Sequence, residues 1–227
     1  IDEDNNITGI HIRGVGFRTT TAYANRFPAG TIDNFMSESH RMDSNITTGA
    51  WRAPRSHFVA GVEAAFLDEL AEEVGKDPIE LSLELFDRAI NNPVGENNDY
   101  DPERYAGVIK LVRDKAKWGE ERPGIYRGFA AYFCHNSYAA ESVHIKLVDD
   151  RPVIDKVWCA ADCGIVVNPD GARNQLEGGI IDGIGHAMYS AMTFTDGAPD
   201  QNNFDSYRLI RNEEAPYDIE TFFVESD

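Results

Sequence analysis

Apolar residues recurring every fourth position mark the first clear element of the chain. Between Ser56 and Gly75, Phe58, Val62, Phe66, Leu70 and Val74 form one line, with Glu63, Glu69, Glu72 and Glu73 on the other face. That spacing predicts an amphipathic helix closed by Gly75. A second helix is announced by Asp77 as N-cap, Pro78 in the first turn and Glu80 three residues on, and continues through LSLELFDRAI. The polar stretch NNPVGENNDYDPE reads as a loop, Gly95 and Glu96 included, before a third helix from about Pro102 to Trp118. The pattern then turns strand-like in IYRGFAAYFCHN, AAESVHIKLVDD and PVIDKVWCAADCG, the last two joined by a tight turn, which predicts an antiparallel meander. Upstream, ITGIHIRGVGFRTTT (7–21) reads as a strand with a glycine kink and IDNFMSESHRM as a second one; no helix follows the GVG, so it is not a nucleotide loop. Near the end, Met192 to Thr195 reads as a short strand entering a turn at Asp196 and Gly197, and NNFDSYRLIR and YDIETFFVE both look extended. The elements add up to an α+β fold with a mixed, mainly antiparallel sheet packed with helices.

The long segment GIVVNPDGARNQLEGGIIDGIG (164–185) breaks the ordinary rules. Asn168 and Pro169 open a helix that runs towards Ala191, yet its interior holds Gly178, Gly179, Gly183 and Gly185. Each interior glycine costs a helix about 1 kcal/mol relative to alanine. Leu176, Ile180, Gly183, Ile184, Ala187 and Met188 share one broad face, and the remaining glycines lie along or beside a face that begins with Gln175. Spacing alone leaves two readings open. One is close packing of the helix on a sheet; the other is a pocket floor near the helix N-terminus, where unpaired N–H groups favour anions and a Gln175 amide can read a heterocycle edge.

Composition narrows the functional classes. The 227 residues carry 21 basic and 39 acidic side chains, a formal charge of −18 that repels nucleic acid and anionic membrane surfaces. The acidic residues are dispersed and read as a solvated exterior. No apolar run reaches the roughly 18 residues needed to span a bilayer, so membrane insertion is not expected. Cys134, Cys159 and Cys163 form no C-x-x-C pair, and the six histidines form no metal-like cluster. The cysteines read as small buried hydrophobes, with Cys159 and Cys163 on one face of a single strand, too far apart to bridge. Asp162 beside Cys163 ends an apolar strand without a basic neighbour in sequence, which argues against a catalytic pair. A second candidate site is TGAWRAPR, where Trp51, Arg52, Pro54 and Arg55 offer either a surface stacking pair or a cationic fork for a phosphate or conjugated ring.

Taken in order, TGAWRAPR, EAAFLDELAEEVGKDPIELSLELFDRA, RGFA, AADCGIVVNPDGARNQLEGGIIDGIG and GAPDQNNFDSYRLIRNEEAPYDIE resemble the molybdopterin-binding large subunit of the xanthine oxidase and aldehyde oxidase family, in its isoquinoline 1-oxidoreductase beta-subunit branch. The resemblance implies a molybdenum ion on a pterin dithiolene, as the cytosine dinucleotide form in bacteria. It implies hydroxylation of an N-heterocycle or aldehyde carbon with oxygen from water, and an iron–sulfur partner subunit that takes the electrons. It places Arg52 in the loop beside the molybdenum site and Gln175 at the pterin, with Gly178 and Gly179 baring the helix to the cofactor. Ala53 stands where carbon monoxide dehydrogenases of the family carry a copper-binding cysteine, which argues against that chemistry.

The family's G-V-G-E-P-G-like motif with its catalytic glutamate, and its G-G-G-F-G and M-G-Q-G segments, have no match here; Val94 to Glu96 sits in the wrong place and lacks the proline. Residues 1–227 are therefore expected to be one segment of the cofactor-binding region of a longer subunit, with a sub-boundary near 119–125, inactive and free of cofactor when alone. Apolar surface bared in such a segment is expected to favour self-association. A twin-arginine signal on the parent would place it in the bacterial periplasm, its absence in the cytoplasm. The rival reading is a cofactor-free scaffold whose glycine helix only packs.

Overall fold

A computed structural model describes residues 1–17, 20–49, 51–53 and 56–225. Two layers of helix enclose a four-stranded sheet. Strands β3 (Tyr126–Cys134), β4 (Ser137–Val148) and β5 (Arg151–Asp162) form the expected antiparallel meander, and β8 (Ile219–Phe223) adds parallel to β5, giving the order β3-β4-β5-β8. The sheet is thus mixed and mainly antiparallel, as the sequence predicts. Two shorter pairs lie outside it: β1 (Ile10–Phe17) runs parallel to β2 (Phe35–Met42), and β6 (Phe194–Thr195) turns back onto β7 (Ala198–Pro199).

Alternation along the strands sorts side chains between the two layers. On one face, Tyr138, Ala140, Trp158 and Ala160 meet Tyr105, Val108, Ile109 and Val112 of α3 (Pro102–Lys115), backed by Ile79 and Phe86 of α2 (Pro78–Asn91). Phe27 stacks on Phe86 with ring centres 4.3 Å apart, and Tyr100, Tyr105 and Tyr138 continue this aromatic seam. On the other face, Val157 and Cys159 meet Leu176, Ile180 and Ile184 of α4 (Pro169–Met188). A third cluster joins Ile10 and Ile32 to Ala71, Val74, Leu81 and Leu85.

The helix ends follow their sequence signals. Asp77 accepts from the backbone N–H groups of Ile79 and Glu80, and its second oxygen accepts from Trp118 Nε1 at 2.7 Å, tying the start of α2 to the turn that follows α3. Asp101 and Asn168 cap α3 and α4 in the same way. Residues 119–125 link α3 to β3.

Three expectations are corrected. In α1 (Ser56–Glu73), Phe58, Val62 and Phe66 point outward, Val62 being 70% exposed; the inward line is Val59, Glu63, Leu67 and Ala71, with only the C-terminal Leu70 and Val74 turned in as expected. The helix is apolar on both sides, so its own periodicity does not choose a face, and contact with β3 and α2 does. Second, β5 ends at Asp162, so Cys163 lies in the following loop and is exposed, and Cys134 is half-buried; only Cys159 is a buried small hydrophobe. Third, NNFDSYRLIR is not a strand, because Ser206 and Tyr207 donate back to the Asn203 carbonyl at 3.1 and 2.9 Å and curl the segment into a turn. The third helix also stops at Lys115 and α4 at Met188, each a few residues before the expected end.

Candidate functional site

The glycine helix resolves into faces with different neighbours. Leu176, Ile180 and Ile184 pack on the sheet, whereas Gly183, Ala187 and Met188, predicted on that face, are exposed. A separate stripe of Gln175, Gly178, Gly179, Asp182 and His186, spaced three to four residues apart, receives the loop that carries Trp51 and Arg52.

Arg52 is the hinge of this contact. Its Nη2 donates to the Gln175 carbonyl oxygen at 2.8 Å and to Gln175 Oε1 at 3.2 Å, while Nη1 donates to Asp182 Oδ2 at 3.3 Å. The guanidinium lies over the bare backbone, such that a Cβ on Gly178 would stand 3.4 Å from Nη1 and one on Gly179 3.9 Å from Nη2. Trp51 sets its ring edge-on to His186, with centres 6.2 Å apart. Ala53 takes a left-handed backbone, φ 52°, and its carbonyl accepts from the Ser56 N–H at 3.1 Å, which turns the loop into α1. Ala50, Pro54 and Arg55 lie outside the described residues.

The structure thus brings together four residues singled out from sequence, Arg52, Gln175, Gly178 and Gly179, across a sequence separation of 123. Gly185 has a different reason: an added Cβ would meet Ile210 Cγ2 at 3.1 Å, so close packing alone explains it. Among the described residues, a Cβ added at Gly183 would meet nothing within 4 Å beyond the helix's own turn. Asp182 and His186 were not singled out, although their spacing from Gln175 and Gly178 on one helical stripe carried the signal.

Charge on this surface is mixed and solvated. Arg52 and Asp182 keep about half of their side chains exposed, 45% and 50%, so their ion pair contributes little by itself. The Gln175 amide nitrogen shows no protein partner among the described residues. Below, on the α4 face of the sheet, burial pushes the Glu141 carboxyl and the Cys159 thiol up. Asp162 does not belong to this site. It is buried on the opposite face and held below the usual carboxylate range by Arg104, whose Nε and Nη2 reach its two oxygens at 2.9 and 2.6 Å. Its partner lies 58 residues away, which is why no basic neighbour is visible in the sequence. Among the described residues no group of three His, Cys, Asp or Glu side chains is placed to hold a metal ion. Nor, among the described residues, is any helix long and apolar enough to cross a membrane.

A family model described as a molybdopterin cofactor-binding domain matches residues 97–216, more than half of the chain. The chain belongs to the molybdopterin cofactor-binding domain family. It is similar to the isoquinoline 1-oxidoreductase subunit beta of Brevundimonas diminuta, 25% identical over 171 residues that cover 73% of this chain and 20% of that protein. It is also similar to the membrane-bound aldehyde dehydrogenase (pyrroloquinoline-quinone) of Gluconacetobacter polyoxogenes, 28% identical over 179 residues, covering 70% of this chain and 22% of that protein. The chain spans about a fifth of the length of these curated relatives. Among solved structures, the quinoline 2-oxidoreductase of Pseudomonas putida 86 superposes with a TM-score of 0.65 over 87% of this chain and 49% of that one. At 11% identity this likeness speaks for the fold. Within the molybdopterin cofactor-binding domain match lie Gln175, Gly178, Gly179 and the whole of α4, while Arg52 reaches the same surface from outside it.

Proposed function

We propose that this chain is a segment of the large subunit of a molybdenum hydroxylase that oxidises an N-heterocycle or an aldehyde with oxygen drawn from water. Arg52, Gln175, Gly178 and Gly179 contact the molybdopterin, in its cytosine dinucleotide form, and an iron–sulfur subunit is the electron-accepting partner. The observation that carries the reading is the Arg52–Gln175 pair seated over Gly178 and Gly179. These residues suit the group: a fixed guanidinium favours anionic oxygens, an amide offers both donor and acceptor to a heterocycle edge, and bare backbone admits a flat ring.

When bound, the cofactor supplies the metal centre at which the substrate carbon is oxidised. The chain's own residues bind and orient it. Arg52 is positioned by the Gln175 carbonyl and Asp182, and Gln175 presents its amide beside that charge. The proton-transferring glutamate belongs to a part of the subunit outside these residues, so this chain alone is inactive and takes up no cofactor. The two relatives' names divide on substrate, one carrying a heterocycle and the other an aldehyde, and the second also carries a quinone. The family match favours molybdopterin over the quinone for this segment.

The test is metal and pterin analysis of the complete large subunit produced with its cofactor-insertion machinery. About one molybdenum per subunit is expected, with a loss of about tenfold or more in Gln175→Ala and Arg52→Ala at unchanged folding. A wild-type subunit without molybdenum overturns the proposal in favour of a cofactor-free scaffold.

A further inference from the structure

A second cluster of reactive side chains lies away from α4, at the end of the β3–β4 hairpin. Cys134 Sγ is 2.9 Å from His135 Nδ1 and 2.9 Å from Ser56 Oγ. Neighbours in a regular strand point to opposite faces, so Cys134 and His135 would ordinarily diverge. Here His135 and Asn136 adopt left-handed backbone, φ 51° and 57°, closing the two-residue turn, and the imidazole comes to lie against the sulfur of the preceding residue. Ser56, buried at the start of α1, closes the other side. Cys134 itself is half-buried, with His135 exposed above it. A thiol, a base within hydrogen-bond reach and a hydroxyl donor form the arrangement that makes a cysteine nucleophilic.

We propose that Cys134 is a peroxide-reactive thiol, with His135 as its base and Ser56 as donor to the developing sulfur–oxygen group. The thiol proton passes to His135 Nδ1. The sulfur then attacks one oxygen of hydrogen peroxide, so that an S–O bond forms as the O–O bond breaks. The departing hydroxide takes the proton from His135 and leaves as water. Sulfur is oxidised by two electrons, the peroxide is reduced by two, and the product is the sulfenic acid of Cys134. Nothing in this reading depends on the cofactor surface at Gln175.

The other two cysteines supply the comparison. Cys163 is more exposed than Cys134, and Cys159 is buried with its thiol pushed well up by desolvation. If exposure governed oxidation, Cys163 would react first. The reduced 227-residue chain is treated with hydrogen peroxide in the presence of dimedone, and labelled cysteines are located by peptide mapping. Cys134 is expected to label at least about tenfold faster than Cys163, well within the effect of a positioned base, with Cys159 unlabelled. His135→Asn keeps a residue that tolerates left-handed backbone but removes the base. It is expected to slow Cys134 about tenfold, leave Cys163 unchanged and preserve the melting curve. Labelling of Cys163 as fast as Cys134 in the native chain, or an unchanged Cys134 rate in a folded His135→Asn chain, overturns the proposal. Should His135→Asn fail to fold, the native ratio of Cys134 to Cys163 decides alone.

Discussion

Replacing Gly178, Gly179, Gly183 and Gly185 of α4 one at a time by alanine separates those that the chain's own packing needs from those it does not. The backbone gain is the same at each position, about 1 kcal/mol for an alanine in place of glycine inside a helix. The surroundings decide the net sign. At Gly183 a Cβ would meet nothing within 4 Å among the described residues beyond the helix's own turn, so the whole gain is expected, and for a chain of this size it raises the melting temperature by about 2 to 4 °C. At Gly178 and Gly179 the nearest atoms are Arg52 Nη1 and Nη2, at 3.4 and 3.9 Å, which are ordinary contacts; most of the gain is expected there too. At Gly185 the Cβ would lie 3.1 Å from Ile210 Cγ2 and 3.3 Å from its Cβ, so Ile210 must move. Overpacking of that kind costs about 1 to 3 kcal/mol, which cancels the gain and leaves Gly185→Ala destabilised by about 1 kcal/mol.

Urea denaturation followed by circular dichroism, with amide exchange across α4 as a local reading, measures the four differences. A Gly185→Ala chain stabilised as much as Gly183→Ala would refute the packing argument. A destabilised Gly183→Ala would show that bare backbone at that exposed position serves the fold in a way that the structure gives no sign of. The outcome at Gly178 and Gly179 bears on function: alanines that stabilise the chain but lower the molybdenum content of the complete subunit place the need for glycine in the cofactor contact.

Two further predictions concern buried charge. Burial on the inward face of α1 holds the Glu63 carboxyl up at about 7 from an ordinary 4.5, with Arg26 opposing the shift; the folded chain keeps a proton that the unfolded chain releases, so a contribution of about 3 kcal/mol, full below pH 4.5, is lost as the pH rises to 7. Glu63→Gln should flatten that part of the stability-versus-pH curve and exceed the parent chain in stability at pH 8, and an unchanged curve would contradict the burial of this carboxyl. Removing either partner of the Arg104–Asp162 pair, as Arg104→Met or Asp162→Asn, should cost about 2 to 3 kcal/mol in urea denaturation, the low end for a buried pair because Arg104 keeps 35% of its side chain in solvent; a loss below about 0.5 kcal/mol would class it with surface pairs.

Local chemistry makes most of the elements legible in the sequence. Capping residues mark the starts of α2 and α4 at Asp77 and Asn168, and alternation marks β3, β4 and β5 and their antiparallel order. What periodicity does not supply is the choice between two usable faces. In α1 the line through Phe58, Val62 and Phe66 is as apolar as the one through Val59, Leu67 and Ala71, and the second contains Glu63 as well, so a local rule selects the wrong side. Only the contact of α1 with β3 and α2, formed by residues distant in sequence, reverses that preference. For the candidate site the legible part is chemical type: an arginine in a tight loop, and a glutamine heading a glycine stripe. Their meeting is not legible from spacing, because polar contacts over 123 residues leave no period in the sequence.

The position of Arg52 depends on more than its own hydrogen bonds. Its loop is pinned at both ends, and by polar groups rather than by the apolar clusters that set the layers. At the entry, Arg52 is held by Gln175 and Asp182 on α4; at the exit, Ser56 is held by the Ala53 carbonyl and by Cys134 on β3. The two anchors sit on different elements, α4 and the β3–β4 hairpin. Ala53, next to Arg52, is already committed to left-handed backbone, which leaves that position less conformational freedom to lose when a ligand fixes Arg52. The individual exposed contacts are weak, each contributing at most about 1 kcal/mol. Their joint effect is to hold a guanidinium and an amide side by side before any ligand arrives, which lowers the ordering cost that a binding surface built on a loop would otherwise carry.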